Sequence, residues 1–558
     1  AACGAGRSCV GGSCQCPSGR TFCAGACVDT ANDEEHCGGC ARPCSGGAVC
    51  TSSACACPAP QRLCGAECVN TGTSLQHCGD CNQPCGLGQQ CSGGSCQSAV
   101  GADGCDGSAK DLTVDQIAVY QTLKIPIMTG GQAVGTGARP AAIVEGRETL
   151  VRIFVRLEAG FAARELSARL LVLNGTTRDE YFAKRSVSAS SNESDLNTTF
   201  QIFVPGAKIN ADTRYAVEVV ECGASNGTVR APRFPALGEA ALGTRRTGAL
   251  KVRLVPIVSN TRAPDTSAGA LTVYRDYLAG MYPASSIELS VVSSVDSGYP
   301  LNWSSMLDQI RAKRQSESPP NDVYYYGLVK PTDTFAQYCN GSCTAGIGYV
   351  TGASTASYRA AVGIAWADTR SASTMAHELG HNHGRNHAPC APGSISGVDG
   401  NYPHSGGLIG TWGYDPQRRV LLDPSRTTDI MGYCSSKWVS DYTYRALTDR
   451  VATLNGALDT YVAPERIGLW RVLLLDATGP RWGVPFTRPD VAYGEPELVE
   501  ILDAGGQAIA SATAYRTEVA DMVAATLLVP EPLAGWHAVR ATGWPSLRFS
   551  APVSVPGP

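Results

Sequence analysis

Four of the chain's eight histidines fall within the segment TMAHELGHNHGRNHAPC, where His377, Glu378, His381, Gly384 and His387 spell HExxHxxGxxH. Two histidines four residues apart on a helix project their imidazoles from one face, so His377 and His381 can meet on one ion, with Glu378 beside them and free of ligand duty. Gly384 can take a left-handed conformation, end the helix and swing the chain so that His387 closes a third position. Three neutral imidazoles leave Zn²⁺ its full charge and one open site for water, whose pKa then falls to about 7. Glu378 is placed to take the proton from that water and pass it to a leaving amine. Structural zinc sites are closed by four protein ligands and usually contain cysteine, so a merely structural cluster is the weaker reading. His383 lies off the metal face of the same helix and reads as a surface residue or a neighbour of the ligands.

Elements able to position these residues are legible around them. LKVRLVPIV reads as a strand, SAGALTVYRDYLAGMYP as a helix, SIELSVVSSV as a strand, WSSMLDQIRAKRQ as a helix and DVYYYGLV as a strand. GIGYVTG and RAAVGIAWA follow as two more strands before the histidine helix, and a further helix runs near residues 440–459. Helices alternating with strands indicate an α/β layer, here assigned to residues 248–465. Ahead of it, ETLVRIFVRL, LSARLLVLNG, TTFQIFVPG and RYAVEVVECG alternate with period two, which predicts a β-sandwich over 106–247. After it, LWRVLLLDA, PELVEILDA, MVAATLLVP and GWHAVRA predict a second β-sandwich over 466–558. The fold class expected is multidomain: disulfide-rich repeats, β-sandwich, α/β catalytic domain and C-terminal β-sandwich.

Downstream of the histidines comes DIMGYC, with Met431 and Tyr433. Together with HExxHxxGxxH it resembles the metzincin clan of zinc endopeptidases, in which a methionine-containing turn lies beneath the metal. The resemblance covers about residues 248–465. It implies that Met431 is a packing floor for the histidines. It also implies that the Tyr433 hydroxyl stands near the zinc, to bind the metal at rest or the oxyanion in the transition state; a buried core tyrosine is the plain alternative. In the metzincin layout the strand before the active-site helix is a sheet edge to which an extended substrate adds, and YVTG or RAAVGIAWA would be that edge. The segment SSKWVSDYTY, with Trp438 and Tyr442, should help wall the pocket beyond the cut. Ala388, the residue after the third histidine, matches none of the marks of adamalysins, matrixins, serralysins or astacins, so the subfamily stays open. The chain also resembles large secreted bacterial metzincins that place β-domains before the protease and attack mucin-like glycoproteins.

Cysteine usage divides the chain, with 20 of 25 cysteines between Cys3 and Cys105. Adding 41 to Cys16, Cys23, Cys27, Cys37, Cys40, Cys44, Cys50 and Cys55 lands on another cysteine each time, so residues 1–105 are an internal repeat with a 41-residue period. The CxxC pairs Cys37/Cys40 and Cys78/Cys81, each preceded by histidine, raise structural zinc as an alternative, but eight thiols per unit favour disulfides in an oxidising compartment. The units resemble stigma-specific-protein-like cysteine-rich repeats, which implies an attachment module. Of the remaining cysteines, Cys339 and Cys343 can pinch a small loop, and Cys390 and Cys434 would tie the exit of the histidine motif to the methionine turn. Cys105 with Cys222 is the leftover pair, and Cys3 is the expected orphan. A thiolate that silences zinc, as in latent matrixins, is disfavoured because so oxidising a setting leaves few free thiols.

Composition excludes some partners. The 43% hydrophobic content supplies ordinary cores, and 45 Lys+Arg against 49 Asp+Glu leave a net charge of -4, too little field for nucleic acid or anionic membrane. No apolar run is long enough to span a membrane, and the start AACGAGRSCV, without a charged-then-apolar leader, reads as a processed chain. The expectation is a secreted or surface-exposed zinc endopeptidase with protein or glycoprotein substrates, attached to surfaces or glycans through its accessory domains; nothing here addresses calcium. The rival reading is an adhesin or glycan-binding protein with a vestigial metal site, against which the intact His377, Glu378, His381 and His387 argue.

Overall fold

The computed structural model describes residues 3, 6–23, 25–65, 67–74, 77–83, 89–98, 103–105, 107–222, 232–339, 341, 343–352, 355–390, 396–456, 467–487 and 489–549. The protein is mostly β, with a disulfide-rich N-terminal region and few helices. It divides into two compact units, residues 1–114, 155–190 and 214–241 in one and residues 115–154, 191–213 and 242–558 in the other.

In the first unit, short hairpins are stapled by disulfides that obey the 41-residue shift. Cys16–Cys27, Cys23–Cys40 and Cys37–Cys50 repeat as Cys57–Cys68, Cys64–Cys81 and Cys78–Cys91. Both CxxC pairs are consumed in bridges, which removes the structural-zinc alternative for them. Cys85 lies outside the described residues. The expected orphan is corrected: Cys3 is bonded to Cys14, and Cys9 is the free, exposed thiol among the described residues. Repeat register agrees with the Cys3–Cys14 bridge, because these two cysteines correspond to the bridged Cys44 and Cys55, whereas Cys9 corresponds to Cys50. This unit also holds an antiparallel sheet ordered Gly107–Ser108, Arg214–Glu221, Arg164–Asn174 and Thr177–Val187. Its start is anchored by Cys105–Cys222 and by the buried Arg169–Asp103 pair at 2.9 Å. A five-stranded sheet in the order Gln132–Ala133, Lys124–Thr129, Leu112–Tyr120, Thr149–Leu157 and Phe200–Val204 belongs for the most part to the second unit.

The second unit carries the α/β layer. Its strands are β1 (Ala249–Val258), β2 (Ser286–Val291), β3 (Val323–Val329), β4 (Gly346–Gly348) and β5 (Ala360–Ile364). Its helices are α1 (Ala268–Met281), α2 (Trp303–Glu317), α3 (Thr369–Asn382) and α4 (Asp441–Asn455). The sheet order is β2-β1-β3-β5-β4, parallel except for the antiparallel β4–β5 pair. Strand β3 reads VYYYGLV and is buried along its whole length, as a strand covered on both faces must be. RAAVGIAWA therefore contributes the interior strand β5, and the outer strand is the GIG of GIGYVTG.

Toward the C-terminus lies a seven-stranded antiparallel sheet. Its central strands are β6 (Trp470–Leu475), β7 (Glu495–Leu502), β8 (Ala508–Glu518) and β9 (Ala525–Pro530), paired in the order β6-β9-β8-β7. Alternate residues of β6 face opposite sides. Leu473 and Leu475 join Val499, Ile501, Leu527 and Val529 in one core, with Trp482, Trp536 and Phe549 packed at its margin. Trp470, Val472 and Leu474 join Ile310, Tyr325, Tyr349 and Tyr358 of the α/β layer in another. Asp308 and Arg311 of α2, paired at 2.8 Å and fully buried, add polar ties to this contact by bonding the Val484 amide and carbonyl. The C-terminal sheet thus shares a core with the α/β layer, which fixes the loop between β8 and β9 against β4.

Candidate metal centre and active site

Helix α3 is capped by Asp368, whose carboxylate accepts from the Ser371 amide at 2.8 Å. It ends in the turn the glycine was expected to make. Gly384 has φ +81, its amide donates to His381 O, and the next amide reaches Gly380 O. A Cβ there would lie 2.8 Å from Arg450 Nη2 and 3.0 Å from Thr351 O, so conformation and space both require glycine. Gly346 on β4 answers a second crowding: a Cβ would come within 2.5 Å of Glu378 Oε1, and its absence lets the outer strand lie against the helix.

His377, His381 and His387 converge. Their Nδ1 atoms bond the carbonyls of Ile430 (2.8 Å), Arg385 (2.7 Å) and Ser396 (2.6 Å). A carbonyl only accepts, so each Nδ1 donates and each Nε2 presents its lone pair inward, the tautomer a metal requires. The His377 and His381 Nε2 atoms are 3.1 Å apart. Burial pushes His381 down to about 4, keeping it neutral.

A fourth group meets them. Asp521, in the loop between β8 and β9, puts Oδ1 3.0 Å from His387 Nε2 and Oδ2 3.4 and 3.6 Å from His381 and His377 Nε2. The three nitrogens and a carboxylate oxygen lie close enough together to hold one metal ion. Glu378 Oε2 and Asp521 Oδ2 are both buried without a hydrogen-bond partner. Burial, followed by the adjacent Asp521 charge, pushes Glu378 well above the usual carboxylate range. Burial works against Asp521 too, but the imidazoles, His377 foremost, outweigh it and hold that carboxyl well below. Three inward imidazole nitrogens beside the buried Asp521 carboxylate are a donor set that a divalent cation satisfies.

Met431 packs its sulfur against Gly380 beneath the histidines. Asp429, fully buried, pins this turn by accepting from the Met431 amide at 2.7 Å and the Ser440 amide at 2.9 Å. Tyr433 is partly exposed, with its hydroxyl 3.2 Å from His387 Nε2 and its ring beside those of His377 and His387. It is a wall of the site and not a core tyrosine. Cys390 and Cys434 are disulfide-bonded, with Cα atoms 5.6 Å apart, as are Cys339 and Cys343. His383 is neither a ligand nor a surface residue: it is buried, stacked on Tyr324 at 4.5 Å, and burial pushes it down to about 3. An open cleft of about 1380 Å³ leads to the site, lined among others by Glu378, Tyr433, Lys437 and Trp438. Tyr442 bonds Asp399 at 3.1 Å and packs on Tyr402, away from that lining.

Asp521 and Asp429 were not among the residues singled out from sequence. Asp521 stands in EVADMVAAT between two strands, like any hairpin turn, and nothing local marks it. Asp429, two residues before Met431, offered at most its nearness to the methionine turn.

Buried histidines with inward lone pairs, an adjoining carboxylate and an open cleft define a site able to hold a metal ion. The Peptidase M66 family model matches residues 304–462, which include α2 from its second residue, β3 to β5, α3, the methionine turn and α4. That match indicates a peptidase and supports a metallopeptidase. Among curated proteins no match is found. No helix among the described residues is long and apolar enough to cross a membrane, and the many disulfides are consistent with an extracellular protein.

Proposed function

We propose that this chain is a secreted zinc-dependent endopeptidase of metzincin type that cuts extracellular proteins, glycoproteins and mucins among them. Residues 248–465 form its catalytic domain, and the cysteine-rich repeats with the β-domains serve attachment. The observation that carries this reading is the convergence of three Nε2 lone pairs, each aimed by an Nδ1–carbonyl bond, beside a buried carboxylate. Zinc, when bound, supplies the positive charge that acidifies water and polarises a carbonyl. Glu378 takes the water proton and hands it to the departing amine, so the proton count closes within one turnover. The Tyr433 hydroxyl donates to the carbonyl oxygen as negative charge develops there. Peptide extended along the outer strand β4 would be held by backbone hydrogen bonds.

Zinc content together with cleavage of denatured casein, with and without chelator, separates this reading from a binding protein with an idle metal site. Chelator-sensitive cleavage supports it. Stoichiometric zinc without cleavage, once the loop bearing Asp521 has been released, rejects it. Sequencing new amino termini after digestion of a mucin-rich secretome then tests the substrate class.

A further inference from the structure

The loop between β8 and β9 does two things that an extended substrate would do. Val519 bridges antiparallel to Tyr349, just beyond β4, and the Ala520 amide donates to Gly348 O at 3.1 Å. This is strand addition at the sheet edge nearest the metal centre. The next residue, Asp521, then delivers its carboxylate to the Nε2 atoms of all three histidines. Asp521 has φ +68, the left-handed conformation that an aspartate accepts at a tight turn. The turn is closed by Val519 N to Ala524 O at 3.1 Å, and Val523 at its tip is 88% exposed.

We infer that residues 519–523 are a built-in occupant of the active-site cleft, with Asp521 as the fourth ligand that closes the metal site and holds the chain latent. The inference rests on the metallopeptidase reading above. Three histidines leave one position open for water, and a fourth protein ligand gives the closed coordination of a structural site. A carboxylate is suited to the task because its charge opposes the dication where a neutral scissile carbonyl would only be polarised. The loop also covers the edge at Gly348, so substrate and loop compete for the same backbone groups. Latency is therefore carried by two separable contacts, one to the metal and one to β4.

The test uses the full chain loaded with Co²⁺ in place of zinc, comparing wild type with Asp521→Ala, and with Asp503→Asn as a control in a remote turn of the same sheet. Visible absorption reads the ligand set, and a small peptide hydroxamate probes for an open position. The wild-type spectrum should stay unchanged on adding hydroxamate. Asp521→Ala should show an altered spectrum that responds to hydroxamate, and should lose metal to chelator at least about tenfold faster, as expected when one of four ligands goes. Casein cleavage should rise by about tenfold or more, because the competent fraction is no longer limited by the loop. Should Asp521→Ala fail to fold, a specific protease site inserted at Val523 and cut after folding provides the same release. Identical spectra and equal hydroxamate response in wild type and in the released forms overturn the latch. A changed spectrum without any cleavage keeps Asp521 as a ligand, rejects latency and rejects the peptidase reading; cleavage by wild type with an unchanged spectrum on release rejects the latch and keeps the peptidase.

Discussion

Replacing both Cys390 and Cys434 by serine should unfasten the floor of the metal centre. The two cysteines are 44 residues apart in sequence, and each lies three residues beyond a residue of the site, His387 and Met431 respectively. Between them run two backbone hydrogen bonds, Ala388 N to Met431 O at 3.1 Å and Tyr433 N to Cys390 O at 2.7 Å. Gly432 is packed so closely under Cys390 that a Cβ there would lie 3.2 Å from the cysteine's own. The bridge thus clamps the strap holding the third histidine onto the turn holding Met431 and Tyr433. Closing a loop of this length stabilises by about 4 kcal/mol in the chain-entropy model, and typical values are about 2 to 4. For a unit of this size that corresponds to a fall in Tm of roughly 2–5 °C. The backbone bonds should survive in the folded variant, so metal binding should weaken and not vanish. Scanning calorimetry gives the Tm, and the rate of zinc transfer to a chromogenic chelator gives retention. A variant with unchanged Tm and unchanged transfer rate would refute the clamp.

Four further outcomes are expected. Glu378→Gln should keep its zinc and its fold while losing about a hundredfold or more in turnover; wild-type cleavage by the loaded variant would end the general-base assignment. Tyr433→Phe should lower kcat more than it raises KM, because its hydroxyl contact strengthens only as charge develops, and an unchanged kcat would reduce Tyr433 to a wall of the cleft. His383 is held neutral in the fold far below its ordinary pKa, so the unfolded chain binds one more proton between about pH 6.5 and 3 and stability falls on acidification through that window. His383→Phe should make denaturant-derived stability shallower there by up to about 1.4 kcal/mol per pH unit, and parallel wild-type and variant curves would contradict this. A chain beginning at Asp103, which keeps both the Asp103–Arg169 pair and the Cys105–Cys222 bridge, should retain cleavage of a short peptide while losing attachment to surfaces; loss of peptide cleavage in that folded, metal-loaded chain would reject the modular reading.

What could be read from sequence was what is encoded locally. HExxHxxGxxH fixes its own geometry, since helix periodicity aims His377 and His381 together and a left-handed glycine returns His387. The 41-residue shift likewise carries the repeat disulfides, and it relates Cys3–Cys14 to Cys44–Cys55, which leaves Cys9 and not Cys3 as the free thiol among the described residues. Other features are set only by tertiary contact. The outer strand is three residues long, too short for a period-two signal, and which of two candidates lay at the edge depended on pairing order. His383 was placed correctly off the metal face, but its burial comes from Tyr324 and Tyr282 on other elements. Asp521 reaches the histidines from 134 residues downstream because the C-terminal sheet shares a core with α2 and β3, a contact that no local pattern announces.

The central claim is tested most directly by casein cleavage with the zinc-loaded Asp521→Ala chain, where the loop no longer hides the answer. Cleavage that chelator abolishes, stoichiometric zinc restores and an added Glu378→Gln change eliminates is the predicted result. A folded chain that binds zinc at the three histidines and leaves casein intact would contradict it.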